Sequence, residues 1–235
     1  MRLNKYLAKC GLGSRRKCDI LIETSQIKIN GKINSDFSYQ VKDSDLIQYK
    51  NKVIDIVDED YVYILNKPYG YISTSNDPFK RKIIIDLIPV NIRLFNIGRL
   101  DYDTTGIILL TNNGDIANKL LHPKYNISKY YYAETKDKLT KNNLEDIKKG
   151  IYIDNIGISN ADIFLSAITK SNKYIWDIKL TEGKNKEINR IFNFYNIKVD
   201  KLHRYEFAGL RLGKLKSGEY KRISLKKFKK LVDIK

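Results

Sequence analysis

"GRLDYDTTGIILLTNNG", residues 98–114, carries the reading of this chain. Ile107-Ile108-Leu109-Leu110-Thr111 has no charged interruption, which predicts a strand buried on both faces. Asn112-Asn113-Gly114 then turns the chain. Asp115 offers a side chain to cap a helix carrying Ile116, Ala117, Leu120 and Leu121, and His122-Pro123 closes that helix. Ahead of the strand, Asp101 and Asp103 stand between Arg99 and the pair Thr104-Thr105. Such a loop suits two chemistries. One is phosphoryl transfer, with an aspartate nucleophile and a metal beside it. The other is a metal-free reaction on a nucleic-acid base, in which one aspartate acts.

The segments around it fill in a fold. Residues 61–65 read as a strand, followed by a turn at Asn66-Lys67-Pro68-Tyr69-Gly70. Residues 83–88 read as a short helix. Residues 129–135 read as an aromatic strand, 139–149 as a helix stopped by Gly150, and 174–180 as an alternating strand. A helix follows Glu182-Gly183, and 199–207 and 220–225 read as late strands. Helices and strands mix without a regular βαβ rhythm. The expected class is α+β, with helices flanking a largely antiparallel, mixed sheet.

The first 58 residues read as a separate module. Leu3, Tyr6 and Leu7 fall at helical spacing, Gly11-Leu12-Gly13 breaks the helix, and Ser14 can cap a second one. Ile27 to Ile33 alternates around Asn30-Gly31, a hairpin signal, and residues 46–49 read as a further strand. Asn51 to Asp60 is a polar linker, so the expected domains are 1–58 and 59–235. Arg15, Arg16 and Lys17 crowd a helix start, where cations oppose the helix dipole unless a ligand such as phosphate holds them.

Composition narrows the partners. Lys plus Arg number 44 against 27 Asp plus Glu, a net charge of +17. Ten basic and two acidic residues fall in 211–235, so nearly half of the excess sits in the last 25 residues. That balance favours a polyanion, because each neutralised phosphate releases condensed counterions. Cys10 and Cys18 are the only cysteines, and His122 and His203 the only histidines. They suggest neither a disulfide framework nor a zinc site. The opening residues turn polar too soon for a secretion signal, and no stretch approaches the ~20 apolar residues of a membrane helix. The expectation is a cytoplasmic monomer without membrane, metal or cofactor.

Two resemblances extend these readings. Arg2-Leu3-x-Lys5-Tyr6-Leu7, Gly13-Ser14-Arg15-Arg16 and Ile29-Asn30-Gly31-Lys32 resemble the small RNA-binding domain first seen in ribosomal protein S-four. The likeness implies RNA contacts from Arg15, Arg16, Lys17 and the turn from Asn30 to Lys32. Asp101-Tyr102-Asp103-Thr104-Thr105 fits the D-x-D-x-T loop of haloacid-dehalogenase-type phosphatases, but that loop ends a buried strand of a doubly wound sheet. Here Gly98-Arg99 interrupts the chain before the aspartate, and the apolar strand comes after it.

A longer ordered set resembles the bacterial pseudouridine synthases that act on single sites in ribosomal RNA. Its carriers are Gly98-Arg99-Leu100-Asp101, Thr104-x-Gly106 through Gly114, Asn66-Lys67-Pro68-x-Gly70 with Thr74, and His122-Pro123. Lys129-x-Tyr131, Glu182 to Ile188, Leu202-x-Arg204 and 212–219 complete it. The likeness implies ribosomal RNA, or a subunit assembly intermediate, as partner, with the large subunit favoured over the small. It implies base flipping without a cofactor, Asp101 as the essential carboxylate and Tyr131 as the stacking aromatic. Arg99 joins them as a catalytic candidate, and Lys184, Arg190 and Arg204 as RNA contacts. One position departs: the family usually carries an arginine at Asn189, thought to pair with the aspartate. That leaves a shifted register, a compensating cation or a weakened enzyme, and the expectation is compensation by Arg99 or Lys184. The competing reading is a non-catalytic RNA-binding or ribosome-assembly factor, with the phosphatase a distant third.

Overall fold

A computed structural model describes residues 1–56 and 59–232, apart from the side chain of Leu231. The expected boundary at 58/59 and the end of the basic tail, 233–235, fall on or beside residues outside that set. The chain divides into two compact units, Met1–Asp60 with Val90–Arg93, and Tyr61–Pro89 with Leu94–Lys235.

In the first unit, helices α1 (Leu3–Lys9) and α2 (Arg15–Glu23) precede strands β1 (Ile27–Ile29), β2 (Lys32–Ile33), β3 (Ile47–Tyr49) and β4 (Lys52–Val53). Ser14 caps α2 by accepting the Lys17 amide at 3.2 Å. Asn30 and Gly31 both take positive φ, the requirement of a two-residue hairpin turn between paired β1 and β2. Leu3, Leu7, Cys18, Leu21, Ile22, Ile27, Ile29 and Ile47 form this unit's core.

The second unit is built on strands β5 (Val62–Lys67), β6 (Phe95–Ile97), β7 (Thr105–Thr111), β8 (Lys129–Thr135), β9 (Ile151–Ile153), β10 (Gly157–Ser159), β11 (Asp162–Ile168), β12 (Tyr174–Leu180), β13 (Val199–Phe207), β14 (Leu210–Arg211) and β15 (Tyr220–Ile223). Helices α3 (Gly114–Leu121), α4 (Lys141–Lys149), α5 (Glu187–Phe194) and α6 (Leu225–Val232) flank them. The main sheet runs β11-β12-β8-β13-β7-β5-β15, with β14 against β13, β6 against β7, and β9-β10 as a separate hairpin. Only the β13–β7 pair is parallel among these ladders. The sheet is therefore mixed and largely antiparallel, and the class is α+β.

Several expectations shift in detail. The cap of α3 is Asn113, whose side-chain oxygen accepts the amides of Asp115 and Ile116; Asp115 lies inside the first turn. Two residues could cap the turn after β7, and the backbone path put the earlier one in reach. The short helix expected at 83–88 is a 3₁₀ helix, Ile84–Leu87. The last strand stops at Ile223, and α6 follows it, a helix the alternation of 220–225 concealed. Its Phe228 and Val232 are buried in the main core beside Val62, Ile107, Leu109, Ile116, Leu120 and Phe207.

Gly106 explains how β7 enters the sheet. It pairs with Lys67 on β5 and Arg204 on β13. A Cβ there would stand 2.1 Å from the Arg204 carbonyl oxygen, at a φ of +107°. Only glycine allows that approach.

Candidate active site

The loop from Gly98 to Thr104 lies between β6 and β7 and is held by its backbone. The Ser73 hydroxyl, 3 % exposed, donates to the Leu100 carbonyl at 2.7 Å and accepts the Leu100 amide at 3.1 Å. The Gly70 amide donates to the Tyr102 carbonyl at 3.0 Å, and the Thr104 amide to the Asp101 carbonyl at 3.1 Å. Asp101 is half-buried at the centre of this clamp.

Lys67 lies beneath. It closes β5 with no exposed surface. Its ammonium donates to the carbonyls of Thr104 at 2.7 Å, Pro68 at 3.2 Å and Tyr102 at 3.4 Å. Burial lowers its pKa to about 8, against the opposing pull of Asp103 and then Asp101. The loop carbonyls are therefore satisfied by a buried cation whose field reaches both aspartates. Asp103 is exposed and, among the described residues, makes no hydrogen bond to a loop amide.

Asp101 lines a cavity of about 440 Å³ together with Arg99, Lys129, Tyr131, Lys184 and Arg204. That volume lies within the ~300–1,000 Å³ of small-ligand sites. Arg99, Lys129, Lys184, Lys186 and Arg204 outnumber Asp101, Glu182 and Glu187 among its charged lining, so the cavity favours an anionic guest such as a nucleotide. The β8 register turns Lys129 and Tyr131 to the same side, as alternation requires. Tyr131 is 7 % exposed. The Lys129 ammonium donates to the Ile127 and Thr181 carbonyls, both at 3.1 Å. Burial, then the neighbouring Arg204 charge, lower its pKa to about 8.

Arg204, expected as an RNA contact, is 2 % exposed. Its Nε donates to the Ile107 carbonyl at 2.8 Å, and Nη1 makes a long contact of 3.5 Å to the Tyr131 hydroxyl. Its guanidinium carbon lies 4.7 Å from the Phe207 ring centroid. Nη2 is buried without a partner among the described residues. This arginine is packed into the cavity wall instead of standing on an outer surface.

The other expected residues separate into groups. Arg99 is exposed at the cavity rim. The Lys184 ammonium contacts the Glu182 carboxylate at 3.0 Å and the Ile158 carbonyl, so its charge is already engaged. Arg190 reaches the Asp154 carbonyl and the Asn185 side chain, both at 3.3 Å, and does not line the cavity. Asn189 does not line it either, and its side-chain oxygen is buried without a partner among the described residues. Arg15, Arg16, Lys17 and Lys32 are exposed in the first unit. Asn30 is occupied in its own module, donating to Asp45 at 3.0 Å and accepting the Leu46 amide at 2.9 Å.

Sequence reasoning missed Lys67, Ser73 and Lys129 as parts of the site. Lys67 and Lys129 stood inside recognised segments without a role. The available signal was a lysine at the end of an otherwise apolar run, where a charge is costly unless it has work to do. Ser73 carried no signal, because its partner is 27 residues away.

Comparison with known proteins gives the family. The family description RNA pseudouridylate synthase matches residues 61–194, and the S4 domain matches residues 1–47. The ribosomal large subunit pseudouridine synthase B of Bacillus subtilis (strain 168) is 36% identical over 232 residues, covering 98% of this chain and 95% of the relative. The enzyme of the same name from Buchnera aphidicola subsp. Acyrthosiphon pisum is 35% identical, covering 95% and 92%. A solved structure described as a pseudouridylate synthase superposes with a TM-score of 0.70 at 27% identity, covering 99% of this chain and all of the other. With the clamped aspartate, the cationic cavity and the matching family over most of its length, the chain belongs to the RNA pseudouridylate synthases and carries an S4 domain at its N-terminal end.

Proposed function

We propose that this enzyme converts a uridine of large-subunit ribosomal RNA to pseudouridine, with Asp101 as the essential carboxylate. The observation that supports the assignment of Asp101 is its position in one cavity with Tyr131 and Arg204, on a loop tied at Leu100, Tyr102 and Thr104. The large-subunit preference rests on the names of the Bacillus subtilis and Buchnera aphidicola relatives.

In the reaction the N1–C1′ bond breaks, the uracil turns within the cavity, and a C5–C1′ bond forms. C5 loses a proton and N1 regains one, so no external oxidant or reductant is consumed. The uridine first leaves its stack, at a cost of a few kcal/mol that is least in a loop. Tyr131 receives the flipped base on its ring and is the candidate to take the C5 proton. Arg99 meets the RNA at the rim. Residues 1–58 act as the RNA-binding domain, with Arg15, Arg16, Lys17 and Lys32 on phosphates, and 59–235 as the catalytic domain. The enzyme works as a cytoplasmic monomer.

The test is incubation of wild type and Asp101→Asn with unmodified large-subunit ribosomal RNA in a metal-free buffer, followed by mapping of new pseudouridines. One new site, lost in the variant, supports the reading. RNA bound tightly with no new pseudouridine would indicate a binding factor instead.

A further inference from the structure

The α6 helix carries a charge pattern that the catalytic cavity does not use. Its sequence is LKKFKKLV. At about 100° per residue, Lys229, Lys226, Lys230 and Lys227 cover an arc of roughly 160°. Phe228 and Val232 fall opposite, at 0 % and 8 % exposure. The helix is thus bolted to the main core by one face and presents four exposed lysines on the other.

Among the described residues nothing compensates these charges. No acidic residue occurs between Glu219 and Asp233. Among the described residues the four ammonium groups make no ion pair or hydrogen bond. Lys226 with Lys229 and Lys230, and Lys227 with Lys230, are like-charged pairs at helical neighbour spacing. Each such pair disfavours the helix by about 0.2–0.5 kcal/mol. Lys226 and Lys227 also lie in the first turn, where cations oppose the dipole, and no acidic residue offsets them there. A lysine-rich amphipathic helix on a membrane would insert its apolar face. Here that face is consumed by the protein core, which leaves only a ligand recognised by charge.

We propose that the outer face of α6 is a docking surface for the sugar-phosphate backbone of the RNA substrate, at a place separate from the cavity that takes the uridine. This rests on the reading that the substrate is a structured ribosomal RNA. A helix of eight residues spans about 12 Å, long enough for its lysines to reach several consecutive phosphates. The contacts carry no sequence information. They hold the RNA in register while the cavity selects the base.

The experiment compares wild type with the variant in which Lys226, Lys227, Lys229 and Lys230 are all glutamine, and with the all-arginine counterpart. The probe is transcribed large-subunit ribosomal RNA, with binding measured across salt and pseudouridine formation at saturating RNA. Losing three contacts flattens the slope of log K against log salt by about 2 to 3. Between 50 and 200 mM salt the wild type then loses roughly 16- to 64-fold more affinity than the glutamine variant. The arginine variant keeps the wild-type slope, and the rate at saturating RNA stays within about twofold for both. An unchanged slope in the glutamine variant, with an unchanged melting temperature, overturns the proposal. So does a slope loss that arginine fails to restore, which would mean a structural effect. Binding to anionic phospholipid vesicles that vanishes in the glutamine variant while the RNA slope stays constant also overturns it. A wild type that binds with the steep slope but makes no pseudouridine refutes the proposed reaction and leaves the docking surface standing.

Discussion

Replacing Lys67 with methionine probes the electrostatics under Asp101. The ammonium has three carbonyl partners and no exposed surface. Its pKa falls from 10.5 to about 8. That displacement corresponds to about 3 kcal/mol against the charged form. Methionine removes this desolvation penalty but leaves the Thr104 and Pro68 carbonyls short of a donor, at about 1–3 kcal/mol each, while the Tyr102 carbonyl keeps the Gly70 amide. The two effects largely offset, so Lys67→Met loses no more than about 3 kcal/mol of stability and still folds. Activity suffers more, because the loop loses its tie at Thr104 and Asp101 loses a nearby positive charge. The expected loss in kcat is 10- to 100-fold, about 1.4–2.7 kcal/mol of transition-state stabilisation. The pH dependence identifies the cause. In wild type the ammonium discharges as pH rises through about 8, and kcat declines above that point. Lys67→Arg keeps its charge and carries the plateau to higher pH. Stability moves the opposite way. Between about 8 and 10.5 the unfolded chain binds the proton that the folded chain has released, so wild type gains stability as pH rises through that window. The methionine variant lacks that gain. Single-turnover pseudouridine formation from pH 6 to 10, with urea unfolding at matching pH, measures both. A Lys67→Met enzyme with wild-type kcat and the same alkaline limb refutes the reasoning.

Two further outcomes follow from the same geometry. Asn189→Arg introduces the arginine that the resemblance implies, at a residue that does not line the cavity, and removes a buried oxygen without a partner among the described residues. Because Lys67 already supplies positive charge beneath the loop, the gain in kcat stays below about tenfold; a gain of several hundred-fold in steady-state assays would mean that the present site is crippled. Gly106→Ala places a Cβ 2.1 Å from the Arg204 carbonyl oxygen. The expected loss exceeds about 4 kcal/mol, seen as insoluble protein or a collapsed melting transition; a normal melting curve would show that β7 and β13 can separate.

What could be read without coordinates depended on whether the information was local. The strands 129–135, 174–180 and 199–207 were legible to the residue, because alternation and β-branched or aromatic content are local properties. So were the Ser14 cap, the Asn30-Gly31 turn and the double-sided burial of residues 107–111. The α6 helix was not, because residues 220–225 alternate like a strand and only the packing of Phe228 and Val232 fixes where the strand ends. The ordered motifs also proposed Asp101 as the acting carboxylate, and the fold places it on the cavity wall.

The remainder belongs to tertiary structure, since it concerns atoms far apart in the chain. Lys67 reaches Thr104 across 37 residues and Ser73 reaches Leu100 across 27. Arg204 meets Ile107 across 97. No window of sequence contains both members of such a pair, so the question of what charges the site led to Arg99 and Lys184, which lie near Asp101 or the helix start. Folding answers it differently. One of those cations is at the rim and the other is engaged by Glu182, while a lysine from the opening strand is buried under the loop. By itself the sequence determined the class of fold and the family of chemistry, and it proposed the aspartate. The cation beneath that aspartate was decided only when β5, β7 and β13 came together at Gly106, because proximity in space, not in the chain, sets a field.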